Sequence, residues 1–189
     1  MGTFLGPAPT ITPDEITEEM LSKYQCIYIE GYLLVNEPLV RSTMEKAKKL
    51  GLKVALDLSN FNIVNAFKGM LEDIIPKYVD ILFSNESETE AFTGQKAAEA
   101  VHTLSELVEV SLVTLGKEGA LIGSHGQFYS VPAEGGKPVD TTGAGDNFAA
   151  GFLYGQSIGA SLVQSARIGS MLAGYVIDVV GPEIPYDKW

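Results

Sequence analysis

Asp140-Thr141-Thr142-Gly143-Ala144-Gly145-Asp146-Asn147-Phe148-Ala149-Ala150-Gly151-Phe152-Leu153 runs from a turn of small residues into an apolar helical segment. Residues with little side-chain bulk stand where a helix begins. Free N–H groups there face outward, and the helix dipole adds partial positive charge. Such a start holds a phosphate or a developing oxyanion. Asp146 falls in the first turn of the same helix, where the field suits an ionised carboxylate. A carboxylate beside an anion cradle can take the proton of an attacking alcohol. A tight glycine turn with an acid at the helix start accounts for the composition equally well. The stretch is not a Walker A loop. The Gly-Lys steps of the chain, Gly116-Lys117 and Gly136-Lys137, continue into Glu118 and Pro138 rather than Ser or Thr. Nor is it a dinucleotide fingerprint, because Phe148 stands where the third glycine belongs.

Outward from this stretch, strands and helices alternate. Thr12-Pro13-Asp14-Glu15 reads as a helix start with a capping box, and Ile16, Met20 and Tyr24 continue it at helical spacing. Residues 27–34 read as a strand. A helix follows from Pro38 to a stop at Gly51. Residues 53–58 form a second strand and 63–75 a helix ended by Pro76. Residues 79–83 form a third strand, and 85–92 a short helix closed by Gly94. After a helix over 97–108 come strands over 110–115, 120–123 and 128–131, the last three joined by hairpin-like turns. Helices over 144–157 and 161–179 close the chain. This repetition predicts an α/β fold with a mostly parallel sheet flanked by helices and a small antiparallel extension. No linker or composition break divides residues 1–189, so a single domain is expected.

Composition narrows the function classes. The 189 residues are 46% hydrophobic and 20% charged, ordinary for a folded chain with a core of its own. Asp and Glu number 24 against 13 Lys and Arg, a net charge of −11. That excludes a general nucleic-acid binder and a polybasic membrane-surface protein. A small anion held by local amide dipoles stays possible. Cys26 is the only cysteine, so no internal disulfide or CxxC metal site exists; a reduced, cytoplasmic setting fits. It is expected to be a small buried residue. His102 and His125 lack zinc spacing and read as structural or solvent-facing. Residues 1–6 show neither a basic nor an apolar signal-peptide region. Residues 168–180 are too few to cross a bilayer and read as a buried helix.

Residues 140–153 resemble the C-terminal signature of the PfkB (ribokinase-like) family of carbohydrate and nucleoside kinases. The acidic opener, the Gly-Ala-Gly-Asp centre and Ala150-Gly151 carry the match. Two further segments agree, in the family's order. Asn85-Glu86-Ser87-Glu88 resembles the family's N-x-x-E motif, although Asn at an N-cap with Glu three residues on is also a capping box. Val113-Thr114-Leu115-Gly116-Lys117-Glu118-Gly119 resembles its T-L-G-x-x-G nucleotide segment, and equally a strand entering a hairpin. The resemblance covers nearly the whole chain and fits the adenosine-kinase-like or ribokinase-like branch best.

The resemblance implies ATP- and Mg²⁺-dependent phosphorylation of a hydroxyl of a sugar or nucleoside. Asp146 would be the catalytic base, with Gly143, Ala144 and Gly145 lining the anion hole. Thr114, Gly116 and Gly119 would bind nucleotide. Asn85 and Glu88 would serve the metal, largely through water. Asp140 and Thr142 would neighbour a monovalent-cation site. Residues 1–6 look like a segment from inside such kinases, so the N-terminal strands, the lid and most acceptor contacts are expected to be missing. A truncated product, a fragment and a short relative all fit that expectation. So does a non-catalytic nucleotide-binding or assembly module derived from such a kinase. An uncovered sheet edge leads us to expect self-association or a homo-oligomer.

Overall fold

The computed structural model describes residues 6–135, 138–184 and 186–188. The expectations on residues 1–5 and on Gly136 and Lys137 therefore lie outside the described residues. Six strands form one sheet in the order β1 (Cys26–Glu30), β2 (Lys53–Asp57), β3 (Ile81–Asn85), β4 (Val110–Thr114), β5 (Ala120–Ser124) and β6 (Gln127–Val131). The pairs from β1 to β4 are parallel, and β4–β5 and β5–β6 are antiparallel. Parallel neighbours need crossovers, and α2 (Glu37–Lys49), α4 (Lys68–Tyr78) and α6 (Ala97–Leu107) supply them; before these stands a one-turn α1 (Glu18–Leu21), and two short helices, α3 (Phe61–Ala66) and α5 (Glu86–Thr93), fill the loops between.

Alternation along the strands divides the core. Val54, Leu56, Leu82 and Val113 point to one face, with Met44 of α2, Ile74 of α4 and Leu104 of α6. Ala55, Ile81, Phe83 and Leu112 point to the other, with Phe148 and Phe152 of α7 (Ala144–Ser157) and Ala166 of α8 (Leu162–Val176). Burial on both faces is why these strands read as continuous apolar runs. Helices α7 and α8 pack closely: a Cβ on Gly151 would stand 2.7 Å from the Gly169 Cα.

Five local expectations change, the last helix among them: α8 ends at Val176 rather than near 179, and Val180 is exposed. The strand expected over 27–34 ends at Glu30, where the Gly31 N–H donates to Ser59 Oγ at 2.8 Å and the chain turns into a 3-10 helix, Gly31–Val35. The capping box of Thr12 and Glu15 is present, but it caps a 3-10 turn, Pro13–Glu15, and Thr17 caps α1 anew. Pro76 does not end its helix. The expected run is broken earlier, at Phe67, and α4 continues through Pro76 to Tyr78. Cys26 is only half-buried, because β1 is an outer strand of the sheet. Among the described residues, no helix is long and apolar enough to cross a membrane.

Candidate active site

The parallel strands point the same way, so their C-terminal residues stand in a row: Glu30, Asp57, Asn85 and Thr114. Glu30 is in register with Asp57, and Asn85 with Thr114. All four line a cleft of about 440 Å³, together with Glu88 and with Gly143, Gly145 and Asp146 at the start of α7. Open α/β sheets present ligand crevices at this end of their strands.

The turn into α7 is held from outside the helix. Asp140 Oδ1 accepts from the Thr142 N–H at 2.9 Å and from its hydroxyl at 2.8 Å, and Oδ2 accepts from the Gly181 N–H at 3.0 Å. The donation from Gly181, with that from Thr142, holds the Asp140 carboxyl below the usual carboxylate range. Gly143 is the N-cap with φ +78°, and a Cβ there would lie 2.8 Å from Pro182 Cβ. Gly145 differs, because a Cβ there would meet nothing within 4 Å. The fold does not require glycine at that position, which lines the cleft and has open space beside it.

A second cleft of about 370 Å³ adjoins the first and shares Thr114, Thr141, Gly145 and Phe148 with it. Gly116, Lys117, Gly119 and Ala144 also line it. Gly119 has a packing reason of its own: φ is +94°, and a Cβ would sit 1.9 Å from the Val131 carbonyl oxygen. The nine residues expected to form the site thus surround two clefts that meet at Gly145.

On the metal side, Asn85 caps α5 in the capping box foreseen as an alternative. Asn85 Oδ1 accepts from the Glu88 N–H at 3.0 Å. Glu88 Oε2 accepts from the Asn85 N–H at 2.9 Å, and Oε1 from Nδ2 at 2.7 Å. Glu88 is only 4% exposed. Burial pushes its carboxyl up to about 7, and the charge of Asp57 adds to this against the donors from Asn85. Among the described residues, no three His, Cys, Asp or Glu side chains are placed to enclose a metal. Magnesium keeps most of its waters, so one such carboxylate beside phosphate oxygens is chemically enough.

Glu30, Asp57 and Ser59 were missed in the sequence reading. Asp57 Oδ1 accepts from the Ser59 N–H at 2.6 Å, and Oδ2 from the Tyr28 hydroxyl at 3.2 Å. Burial raises the Asp57 carboxyl to about 6, opposed by these donors and aided by the charges of Asp146 and Glu30. The available signal was an acid at the end of each of two successive parallel strands. By contrast Asp80, also buried, lies at the other end of the sheet; Lys48 Nζ donates to both of its oxygens at 2.8 Å.

The family described as pfkB family carbohydrate kinase matches residues 2–189. The chain belongs to the pfkB family. The adenosine kinase of Saccharomyces cerevisiae is 32% identical over 203 residues, which cover 98% of this chain and 59% of the yeast protein. The crystal structure of the adenosine kinase from Sinorhizobium meliloti superposes with a TM-score of 0.88 at 29% identity, over 94% of this chain and 56% of that one. A putative ribokinase II from E. coli, solved in complex with ATP and Mg²⁺, shares the pfkB fold with a TM-score of 0.81 at 19% identity, over 92% of this chain and 58% of that one. The chain thus spans under three-fifths of the length of these relatives.

Proposed function

We propose that the chain carries the nucleotide-binding and catalytic part of an ATP-dependent kinase acting on a hydroxyl of a sugar or nucleoside, in a reducing, cytoplasmic setting. Residues 1–189 act in it as one domain. The observation that carries this reading is the meeting of the two clefts at Gly145, on the N-terminus of α7. ATP occupies the second cleft, against Thr114, Gly116 and Gly119, and the acceptor occupies the first. Where they meet, a missing Cβ leaves room for a phosphoryl group, and helix N–H groups face it.

Magnesium, when bound, neutralises charge on the transferring phosphate. Glu88 would hold it through water, with Asn85 orienting the carboxylate. Asp140 and Thr142 shape the loop where a monovalent cation would sit. Asp146 takes the proton of the acceptor hydroxyl as its oxygen attacks the terminal phosphorus in line. The bond from that phosphorus to the ADP oxygen breaks, and the N–H groups of Gly143 and Gly145 stabilise charge on the phosphoryl oxygens; the Ala144 N–H, expected to join them, donates instead to the Thr141 carbonyl oxygen at 3.2 Å. A non-catalytic nucleotide-binding module would use the same second cleft but would not need Asp146.

Asp146→Asn separates the two readings. In the longest natural polypeptide that contains these residues, turnover should fall by about 10²–10⁴, the range for general-base catalysis, with the Kd for ATP little changed. Coupled ADP release and titration calorimetry measure the two quantities. A variant with near-normal turnover removes Asp146 from the role of base.

A further inference from the structure

The start of α7 is braced by the bend that follows α8, residues 179–182. Three contacts join the two. The Gly181 N–H donates to Asp140 Oδ2 at 3.0 Å. Pro182 lies so close to Gly143 that a Cβ there would stand 2.8 Å from its own Cβ. Asn147 Nδ2 reaches the Pro182 carbonyl oxygen at 3.4 Å. The same nitrogen donates to the Gly143 carbonyl oxygen at 2.9 Å, which also accepts from the Asn147 backbone N–H at 2.9 Å. Both atoms facing the amide are carbonyl oxygens, so a nitrogen with two N–H donors satisfies them, whereas a carboxylate would be repelled. On its other side the Ala144 N–H donates to the Thr141 carbonyl oxygen at 3.2 Å. The Gly143–Ala144 peptide unit is thus held at both ends. Gly143 lines the first cleft, and neither Asn147 nor Gly181 and Pro182 are among the residues that line either cleft.

We infer that Asn147 is a positioning residue for phosphoryl transfer: its side-chain amide ties the Gly143 carbonyl to the Pro182 carbonyl and so fixes the cradle from behind. The inference rests on the kinase reading and adds to it a residue that touches neither reactant. Gly143 has φ +78° and no side chain, so by itself its backbone is free to turn. Donors stabilise developing charge best when they are held in place before the reaction. Fixing the Gly143–Ala144 peptide unit fixes the direction of the Gly143 and Gly145 N–H groups on either side of it. The bend at Gly181 and Pro182 acts on the cradle through the same amide.

The test uses the longest natural polypeptide containing these residues, with coupled ADP release read for the best-used sugar or nucleoside. Asn147→Leu keeps the approximate shape and loses both donors. It should lower kcat about 10- to 100-fold, the scale for a small misplacement of reacting groups, with the Kd for ATP little changed. Affinity for ADP with aluminium fluoride, a mimic of the transferring phosphoryl group, should fall by a similar factor. Asn147→Gln, which keeps the donors on a longer stem, should recover most of the loss. Pro182→Gly reaches the same contact from the bend. It should lower kcat alone and add little in the Asn147→Leu background, as expected of groups that share one contact. An unchanged kcat in folded Asn147→Leu overturns the inference. So does a loss that Asn147→Gln leaves unrestored and that follows a fall in melting temperature, which would make Asn147 a residue of the fold only. If Asn147→Leu does not fold, an unchanged kcat in folded Pro182→Gly overturns the inference in its place. These outcomes leave the kinase reading standing. Failure of the unaltered polypeptide to bind ATP, or to release ADP with any sugar or nucleoside, overturns that reading and the inference with it.

Discussion

Two glycines at the start of the proposed phosphate cradle look alike in sequence and differ in what they do. Gly143 serves the backbone, with φ +78° and Pro182 against it, whereas Gly145 serves open space. Gly145→Ala should therefore leave the fold intact and raise stability by up to about 1 kcal/mol, the usual advantage of Ala over Gly in a helix. The added methyl stands beside both clefts, and overpacking costs about 1–3 kcal/mol, roughly 5- to 150-fold in ATP affinity. Melting and calorimetry on one sample check both signs, and unchanged affinity would mean that no phosphate sits there. Glu88 supports a second prediction. Its carboxyl is raised to about 7 from an ordinary 4.5, so the folded chain binds the proton more tightly than the unfolded chain. That contribution is fully present below about 4.5 and is lost as pH rises through about 7. Glu88→Gln should flatten the stability profile across this window, with a change under about 1 kcal/mol from the helix-start charge itself. It should also raise the Mg²⁺ requirement roughly tenfold or more, the scale for an outer-shell partner. A sharp fall in melting temperature with an unchanged Mg²⁺ requirement would make Glu88 a capping residue only.

Among the elements, β1 stands at one edge of the sheet, and no described strand pairs with its outer side. An uncovered parallel strand offers a row of free N–H and C=O groups, and Ile27 and Tyr28 beside them are half-buried. Self-association through β1 is the expected consequence. Light scattering should show a mass that rises with protein concentration, and Ile27→Lys should shift it toward the monomer while melting stays cooperative. A wild-type chain that stays monomeric at high concentration would show that the edge is protected. Much at this scale was legible in the sequence. The capping box at Asn85, the left-handed Gly94 stop and helix α7 all stand where the local pattern put them, because each is set by contacts within a few residues. The end of β1 was not legible, since Gly31 leaves the strand for a bond to Ser59, a residue of a different loop.

For the whole molecule, the comparison with yeast adenosine kinase sets the expectation, as the chain spans 59% of that protein. Holding both reactants in place accounts for roughly 7–11 kcal/mol of a barrier. Residues 1–189 alone should therefore bind ATP and Mg²⁺ yet release ADP far more slowly than that enzyme, whatever acceptor is supplied. Turnover approaching it would show that these residues hold the acceptor unaided. The sequence by itself determined the α/β alternation and the order of three motifs, and the family resemblance carried by those motifs supplied the nine residues proposed for nucleotide, metal and catalysis. Periodicity, caps and glycine turns are short-range, so they can be read along a chain. What only the tertiary structure decided is the company those residues keep. Parallel register brings Glu30 beside Asp57, and Asn85 beside Thr114, from segments far apart in sequence. That register, with the docking of α7 across the strand ends, makes a row of unrelated acids part of the lining of one cleft. It also distinguishes a glycine held by packing, Gly119, from one that keeps a space open, Gly145. Both depend on which atoms approach from elsewhere in the fold, and no local pattern records that.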